Sequence, residues 1–200
     1  KIHGEKEENC MKILGSHTSP FVRVVRVLCE EIKCDYEMEL IPPFAKMTHA
    51  DIKHVKQINP LMKIPALIDE NQTILDSRII AYYLLDNKNP KNMIKKPDWE
   101  EENNISAIYG AIDAGILRFI MSSQNADLEK GYMKRSLERI ESGLSYLDQR
   151  LENTDKPFGL FEISLICGLE WFDKRNIFDW STFDNIAKIY NHHKNRDSFV

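Results

Sequence analysis

Three hydroxyl side chains precede a proline near the start of the chain, in the segment Ser16-His17-Thr18-Ser19-Pro20. Serine before proline is a helix-start signal, because the serine oxygen caps backbone N–H groups and proline at the first helical position has no N–H to leave unpaired. The N-terminus of a helix also attracts negative charge. The segment therefore predicts either a structural cap at Ser19 or a hydroxyl that donates to a bound anion. The residues alone leave both readings open.

A second helix start with polar chemistry lies at Asp76-Ser77. Apolar side chains recur on one side of the following stretch, Ser77–Asn87, so this pair also reads as a structural cap. A helix start accepts a carboxylate, and a neighbouring acidic side chain suits an ammonium group. The pair is therefore a candidate site for a zwitterionic ligand.

The third segment of interest is Lys63-Ile64-Pro65. A bond between any residue and proline is cis in only about 5% of cases in folded proteins, so the sequence alone does not predict a cis bond here. A lysine in a loop is usually solvated. By themselves these residues predict an exposed loop that leads into the apolar run Pro65–Asp69.

The elements around these segments alternate between strand and helix patterns. Short apolar runs and two-residue alternation predict strands, and apolar residues at helical spacing predict helices. Residues 1–87 read as β-α-β-α-β-β-α after a polar leader, residues 1–10, that we expect to be mobile. A polar linker is predicted at residues 88–97.

The pattern beyond the linker is entirely helical. One apolar stripe runs from Ile105 to Ile120, another runs from Leu137 to Leu151, and Ile163–Leu169 is apolar on all sides. The sequence therefore predicts a small domain of mixed strands and helices at residues 11–87, followed by an all-helical domain at residues 98–200.

Composition and charge exclude several classes of protein. The 27 basic side chains are outnumbered by 31 acidic ones, which gives a net charge of −4, and neither half of the chain is basic. We therefore expect no nucleic-acid partner. No uninterrupted apolar run approaches 18 residues, so we expect no membrane-spanning helix. The four cysteines lack the spacing of a zinc site, and the sequence shows no secretion signal. We therefore expect no metal site, free thiols and a cytoplasmic location.

Three segments in register resemble the cytosolic glutathione S-transferases. They are Ser16–Arg23, Asn59–Leu67 and Leu75–Ile80, and the likeness extends over residues 11–199. The chain is most similar to small bacterial members with a Ser-Pro-Phe-Val-Arg turn. The resemblance implies a thioredoxin-like N-terminal domain of α+β type, an all-α C-terminal domain, a homodimer, and glutathione as the co-substrate.

The resemblance also gives each candidate residue a role. Ser19 becomes the catalytic hydroxyl that stabilises the glutathione thiolate, with Ser16 and Thr18 as alternatives from the same turn. The backbone of Ile64 pairs with the cysteinyl part of glutathione, and the Ile64–Pro65 bond is expected to be cis. Lys63 binds a carboxylate, and Asp76 and Ser77 hold the γ-glutamyl group.

The implied activity is conjugation of glutathione to a small hydrophobic electrophile, which is a detoxification reaction. Serine at position 19 disfavours disulfide exchange through that position, because a hydroxyl forms no mixed disulfide. Isomerase or dehalogenase chemistry would share every glutathione contact. The alternative from another class is a non-catalytic interaction protein on the same fold, similar to the stringent starvation protein that associates with RNA polymerase.

The sequence departs from the family at the buried helix of the second domain. That helix usually opens with a reciprocal capping box, whereas this chain has Gly159-Leu160-Phe161-Glu162. Glycine supplies no side-chain acceptor, so we expect half of the box to be missing.

Overall fold

The computed structural model describes residues 10–43, 46–151 and 157–199. The chain divides into two compact units, residues 1–93 and 94–200, and each is described by itself. Residues 1–9 of the expected leader lie outside the described residues, so its mobility stays a prediction.

The first unit contains four strands and three helices in the predicted order β-α-β-α-β-β-α. Their bounds are β1 Met11–Gly15, α1 Pro20–Ile32, β2 Tyr36–Leu40, α2 His49–Ile58, β3 Ala66–Asp69, β4 Gln72–Leu75 and α3 Ser77–Asn87. The strands form one mixed sheet in the order β2-β1-β3-β4. β1 pairs parallel to β2, while β1 with β3 and β3 with β4 are antiparallel. The α+β prediction for this unit is correct.

Helices cover both faces of this sheet. Because side chains alternate along a strand, Ile13 and Leu14 of β1 point to opposite faces, and both are completely buried. Leu14 belongs to a cluster with Val55 of α2. α3 packs against β3, β4 and α1, whose apolar side is buried from Val22 to Ile32. This packing fixes the ends of the strands, where the candidate residues lie.

Gly15 ends β1 where the chain passes closely over α1. A Cβ atom at this position would lie 2.7 Å from the Cγ2 atom of Val22, which is too close for any other residue. Glycine therefore lets the chain turn tightly into Ser16–Ser19.

The second unit contains four α-helices within its described residues, and they are α4 Trp99–Ser123, α5 Gly131–Asp148, α6 Leu160–Arg175 and α7 Asp184–His193. α4 packs against α5 and α6, and α7 packs against α5 and α6. The all-helical prediction is confirmed. α6 is the central helix, with every residue from Leu160 to Leu169 buried.

The apolar stripe of α4 is only partly buried. Ile105, Ile108 and Ile112 are completely buried, but Phe119 and Ile120 are exposed. Arg118 is buried in their place, and its Nη1 atom donates to the carbonyl groups of Leu128 and Met133 at 3.2 and 2.6 Å. A buried arginine is stable here because the chain after α4 supplies these acceptors.

α4 is long and apolar enough to cross a bilayer when length and composition alone are considered. This is weak evidence, because the core helix of a soluble protein passes the same test. Here α4 packs along α5 and α6 and buries Ile105, Ile108 and Ile112.

The start of α6 has half of a capping box, as predicted. The backbone N–H of Gly159 donates to the Oε2 atom of Glu162 at 2.9 Å, and glycine offers no oxygen in return. The start of α7 is capped from a distance: the Oδ1 atom of Asp148 accepts from the N–H groups of Asn185 and Ile186 at 2.8 and 3.0 Å. Asp148 is at the end of α5, so this cap also ties two helices together.

Candidate functional site

Strand pairing brings the three candidate segments to one edge of the sheet. Leu14 is opposite Ala66, and Ala66 is opposite Leu75. The turn Ser16–Ser19 follows β1, Lys63–Pro65 precedes β3, and Asp76-Ser77 follows β4, so all three leave the sheet on the same side. We call this end of the strands the upper edge of the sheet.

The distance across the upper edge, from β1 to β4, matches the length of an extended tripeptide. Neighbouring strands are about 4.8 Å apart, so β1 and β4, with β3 between them, are separated by about 10 Å. A fully extended chain of three residues spans at most about 10–11 Å. A tripeptide lying across the three strand ends would therefore reach from the turn to Asp76.

Ser19 occupies the start of α1 with an extended backbone, at φ −85° and ψ 126°. Its Oγ atom accepts from the backbone N–H of Val22 at 3.3 Å, so the structural cap is present. A hydroxyl has one hydrogen to donate in addition to its acceptor lone pairs. Because the cap uses only a lone pair, the two readings of Ser19 are compatible: the half-buried residue caps α1 and keeps a donor for an anion.

Ser16 and Thr18 are engaged with each other. Their hydroxyl oxygens lie 3.0 Å apart, and the N–H of Thr18 points to Ser16 Oγ at 3.3 Å. The N–H of Ser19 donates to the Ser16 carbonyl at 3.1 Å, which closes the turn. These contacts give Ser16 and Thr18 a role in shaping the turn, whereas Ser19 alone of the three caps the helix.

A chain of hydrogen bonds anchors the same turn to α1. The Nη1 atom of Arg26 lies 3.2 Å from His17 Nδ1, and Arg26 Nε donates to the Tyr36 hydroxyl at 3.3 Å. Arginine has no acceptor, so His17 Nδ1 accepts in this contact. Tyr36 in turn donates to Glu30 at 3.1 Å. The sequence predicts Arg26 only as a surface ion-pair partner on the first helix, because the contacts among these four residues depend on the fold.

The loop before β3 presents the backbone of Ile64. The Ile64–Pro65 bond is cis, as the family resemblance led us to expect. The Ile64 side chain packs against the cluster around Leu14 and Val55. Within the described part of the chain, nothing hydrogen-bonds to the Ile64 N–H, so this donor is available to a ligand. The Lys63 side chain is exposed beside it.

The side chain of Asn59 shapes this loop. The sequence identified Asn59 only as the end of a helix. It is 1% exposed. Its Oδ1 atom accepts from the N–H of Leu61 at 2.9 Å, and its Nδ2 atom donates to the carbonyl of Lys63 at 2.7 Å. Asn59 thereby fixes the chain immediately before Ile64.

Asp76 and Ser77 form the third part of the upper edge. Asp76 has a φ of +72°, a backbone conformation that costs a residue with a side chain about 1–3 kcal/mol. Its Oδ1 atom accepts from the N–H of Arg78 at 2.9 Å, which caps α3. Ser77 is 4% exposed, and no partner in the described chain hydrogen-bonds to its hydroxyl. An acidic residue at a positive φ beside a hydroxyl with no partner in the described chain is a candidate binding site.

Comparisons with known proteins agree with this architecture. The family model described as "Glutathione S-transferase, N-terminal domain" matches residues 14–92. A glutathione S-transferase-like protein of Escherichia coli K12, YibF, whose own function is uncharacterised, is 30% identical over 200 residues and covers 95% of this chain and 96% of its own length.

Solved structures give the same result. A glutathione S-transferase of Methylobacillus flagellatus with glutathione bound is 30% identical, with a TM-score of 0.79 over 94% of this chain and 96% of that one. A glutathione transferase family member of Pseudomonas fluorescens Pf-5 with bound glutathione shares the fold at 24% identity, with a TM-score of 0.82 over 94% and 96% of the two chains. The chain belongs to the glutathione S-transferase family. Its first unit is thioredoxin-like, and its second is the helical region of that fold.

Proposed function

We propose that this protein is a glutathione transferase that joins the glutathione thiolate to a small hydrophobic electrophile. The observation that carries the proposal is the convergence of Ser19, Ile64 and Asp76-Ser77 at the upper edge. The Methylobacillus flagellatus glutathione S-transferase, 30% identical to this chain, was crystallised with glutathione bound, which supports this ligand.

In this proposal each part of glutathione has a chemically matched partner. The γ-glutamyl ammonium binds the carboxylate of Asp76, and its carboxylate binds the Ser77 hydroxyl and the start of α3. The cysteinyl N–H and C=O pair with the backbone of Ile64. Lys63 binds the terminal carboxylate. The strand register brings these protein groups close together, and none of the proposed contacts requires a metal or a further cofactor.

The catalytic step is activation of the thiol. A thiol is mostly protonated at pH 7 and is then a poor nucleophile. The Ser19 hydroxyl donates to the sulfur, and the positive end of α1 favours the thiolate, so the pKa of the bound thiol falls. The thiolate attacks the electrophilic carbon, and the leaving group departs with its electron pair.

We also propose a homodimer that works in the cytoplasm in detoxification. Several large apolar side chains of the first unit are exposed, among them Leu61 at 69% and Ile79 at 55%. A second copy that covers these side chains would remove them from water. Sedimentation equilibrium tests the dimer, and a monomer at micromolar concentration would contradict it.

The test of binding is titration calorimetry with glutathione, using Asp76→Asn as the key variant. Asparagine keeps the capping oxygen and tolerates a positive φ, but it lacks the charge that holds the ammonium. We expect the dissociation constant to rise about tenfold or more, which is about 1.4 kcal/mol, with unchanged unfolding. Glu70→Gln on the exposed turn is the matched control and should bind like the parent protein. No binding by the parent protein would contradict the proposal.

The test of catalysis compares Ser19→Ala with Ser16→Ala and Thr18→Val in conjugation of a chloronitrobenzene. We expect Ser19→Ala to lower kcat about 10- to 100-fold, to leave glutathione affinity within about threefold, and to raise the pKa of the bound thiol by about one unit. The other two variants should keep most activity. Equal kcat values for Ser19→Ala and the parent would show that another hydroxyl acts. Binding without any conjugation across a panel of electrophiles would favour the non-catalytic interaction protein.

A further inference from the structure

The imidazole of His17 is a polar group of the turn Ser16–Ser19 to which the proposed glutathione contacts assign no role. The hydroxyls on either side of it are engaged with each other. The His17 side chain is exposed, and within the described residues its one hydrogen-bond partner is Arg26 of α1. Two residues of chain span at most about 7 Å, so His17 is close to Ser19, where the proposed thiolate meets its electrophile.

The contact with Arg26 determines where the proton of the neutral ring lies. The Nη1 atom of Arg26 is 3.2 Å from His17 Nδ1, and a guanidinium group can only donate. In this contact Nδ1 therefore carries no proton, and a neutral imidazole with a bare Nδ1 has its hydrogen on Nε2. The Nε2–H group is on the edge of the ring that does not face Arg26, so this donor is left for another partner.

Arg26 is itself held in place by two further residues. Its Nε atom donates to the Tyr36 hydroxyl at 3.3 Å, and that hydroxyl donates to Glu30 at 3.1 Å. Burial raises the pKa of Tyr36, against the opposing effect of Arg26, so the hydroxyl keeps the proton that it donates to Glu30. Because both Nε and Nη1 are engaged, the planar guanidinium group has a defined orientation toward His17.

We propose that His17 contacts the second substrate as a neutral hydrogen-bond donor, and that Arg26 is its positioning residue. This rests on the proposed function, because the thiolate beside Ser19 places the electrophile. The matching substrates are electrophiles in which attack moves negative charge onto an oxygen, such as a nitroarene or an α,β-unsaturated carbonyl compound. An N–H donor suits that oxygen, because its hydrogen bond strengthens as the charge develops.

The conjugation of a chloronitrobenzene shows where this donor acts. The sulfur electron pair forms a bond to the ring carbon that carries chlorine, and negative charge moves onto a nitro oxygen. The Nε2–H of His17 donates to that oxygen without transferring its proton. The charge then returns to the ring, the carbon–chlorine bond breaks, and chloride leaves with the electron pair. Benzyl chloride gains no charge on an oxygen, so His17 should matter little for its conjugation.

The experiment measures kcat and KM for both chlorides with the parent protein, His17→Phe and His17→Gln. Phenylalanine keeps a flat ring without a donor, whereas glutamine keeps an N–H group. We expect His17→Phe to lower kcat for the chloronitrobenzene about tenfold, as for loss of one hydrogen bond to a charged group, and to leave kcat for benzyl chloride within about twofold. Glutathione affinity should not change. His17→Gln should recover most of the loss, and His49→Phe at the exposed start of α2 is the matched control.

Arg26→Met tests whether Arg26 acts through His17. It should lower kcat for the chloronitrobenzene several-fold and spare benzyl chloride, and it should add nothing when combined with His17→Phe, because the two residues share one contact. In alkaline buffer, ¹⁵N NMR should show the proton of the His17 ring on Nε2 in the parent protein and exchanging between both nitrogens in Arg26→Met. Arg139→Met removes an exposed arginine–tyrosine hydrogen bond from α5 and is the matched control.

Other outcomes would overturn the proposal. These are equal losses for the two chlorides in His17→Phe, no loss at all, or a loss in Arg26→Met that adds to that of His17→Phe. Urea unfolding shows whether each variant folds, and Tyr36→Phe, which removes one acceptor of Arg26, replaces Arg26→Met if that variant does not fold. A parent protein that conjugates neither chloride would reject the proposed function and the role of His17 with it. Activity on both chlorides without an effect of His17→Phe would reject the role of His17 alone.

Discussion

The upper edge of the sheet and the opposite end of its strands, which we call the lower edge, differ in how their polar groups are hydrogen-bonded. At the lower edge, Asp69 is 4% exposed, and its Oδ2 atom accepts from the Tyr83 hydroxyl at 2.6 Å and from Lys88 Nζ at 2.7 Å. At the upper edge, the Ile64 N–H and the Ser77 hydroxyl have no hydrogen-bond partner within the described residues. Both edges belong to the same four strands.

This difference distinguishes a structural cluster from a candidate binding site. Burying a polar group without a partner costs about 1–3 kcal/mol, so such a group persists where a ligand or water completes it. The buried carboxylate of Asp69 is held by two donors of its own unit and stabilises the fold. Substitutions at the lower edge should therefore change stability, and those at the upper edge should change binding.

The largest effect on stability is expected for Asp69→Asn. Burial opposes the charge of Asp69, but the hydrogen bonds from Lys88 and Tyr83 outweigh it and lower the pKa of the carboxyl. Hydrogen bonds to charged groups contribute about 1.5–3 kcal/mol, so we expect a loss of about 2 kcal/mol in urea unfolding at pH 7. Glutathione affinity should be unchanged, and Glu70→Gln is the control. A weakened affinity would break the contrast between the edges.

The same variant gives a pH test. The pKa of Asp69 is lower in the folded than in the unfolded protein, so its stabilising effect is present above about pH 4 and is lost as the pH falls through the lowered value. The difference in unfolding free energy between the parent and Asp69→Asn should therefore shrink below pH 4. A constant difference down to pH 2 would show that the charge is not responsible.

A smaller and mixed effect is expected for Asn59→Ala. Asn59 supports the upper edge, but its side chain is buried and paired. Removal of its two hydrogen bonds should cost about 1–2 kcal/mol of stability and weaken glutathione binding several-fold through the loop at Ile64. Calorimetry and urea unfolding of one preparation measure both. Asn87→Ala removes an exposed side-chain bond on α3 and should change neither.

The smallest effect is expected for Gly159→Ser, which lies away from both edges. A Cβ atom at Gly159 would meet nothing closer than 3.6 Å, so serine fits and supplies the missing half of the capping box. We expect a gain of a few tenths of a kcal/mol in denaturant unfolding and no change in glutathione affinity. An equal or lower stability would mean that the cap is already satisfied in another way.

Local sequence signals predicted most of the first unit. Ser19-Pro20 and Asp76-Ser77 were correctly identified as helix starts, because a cap depends on residues two or three positions away. The binding and catalytic roles given to these residues came from the family resemblance and stay predictions. The contacts of Arg26, Asn59 and Asp69 were not predicted, since their partners are determined by folding rather than by a short spacing.

Periodicity and capping act over a few residues, so local sequence patterns predicted where helices and strands form. Which distant groups meet depended on the packed fold. It placed Asp148 on the N–H groups at the start of α7, and it buried Arg118 of α4 while leaving Phe119 exposed. Burial and strand register are properties of the whole packed unit, and a local pattern records neither.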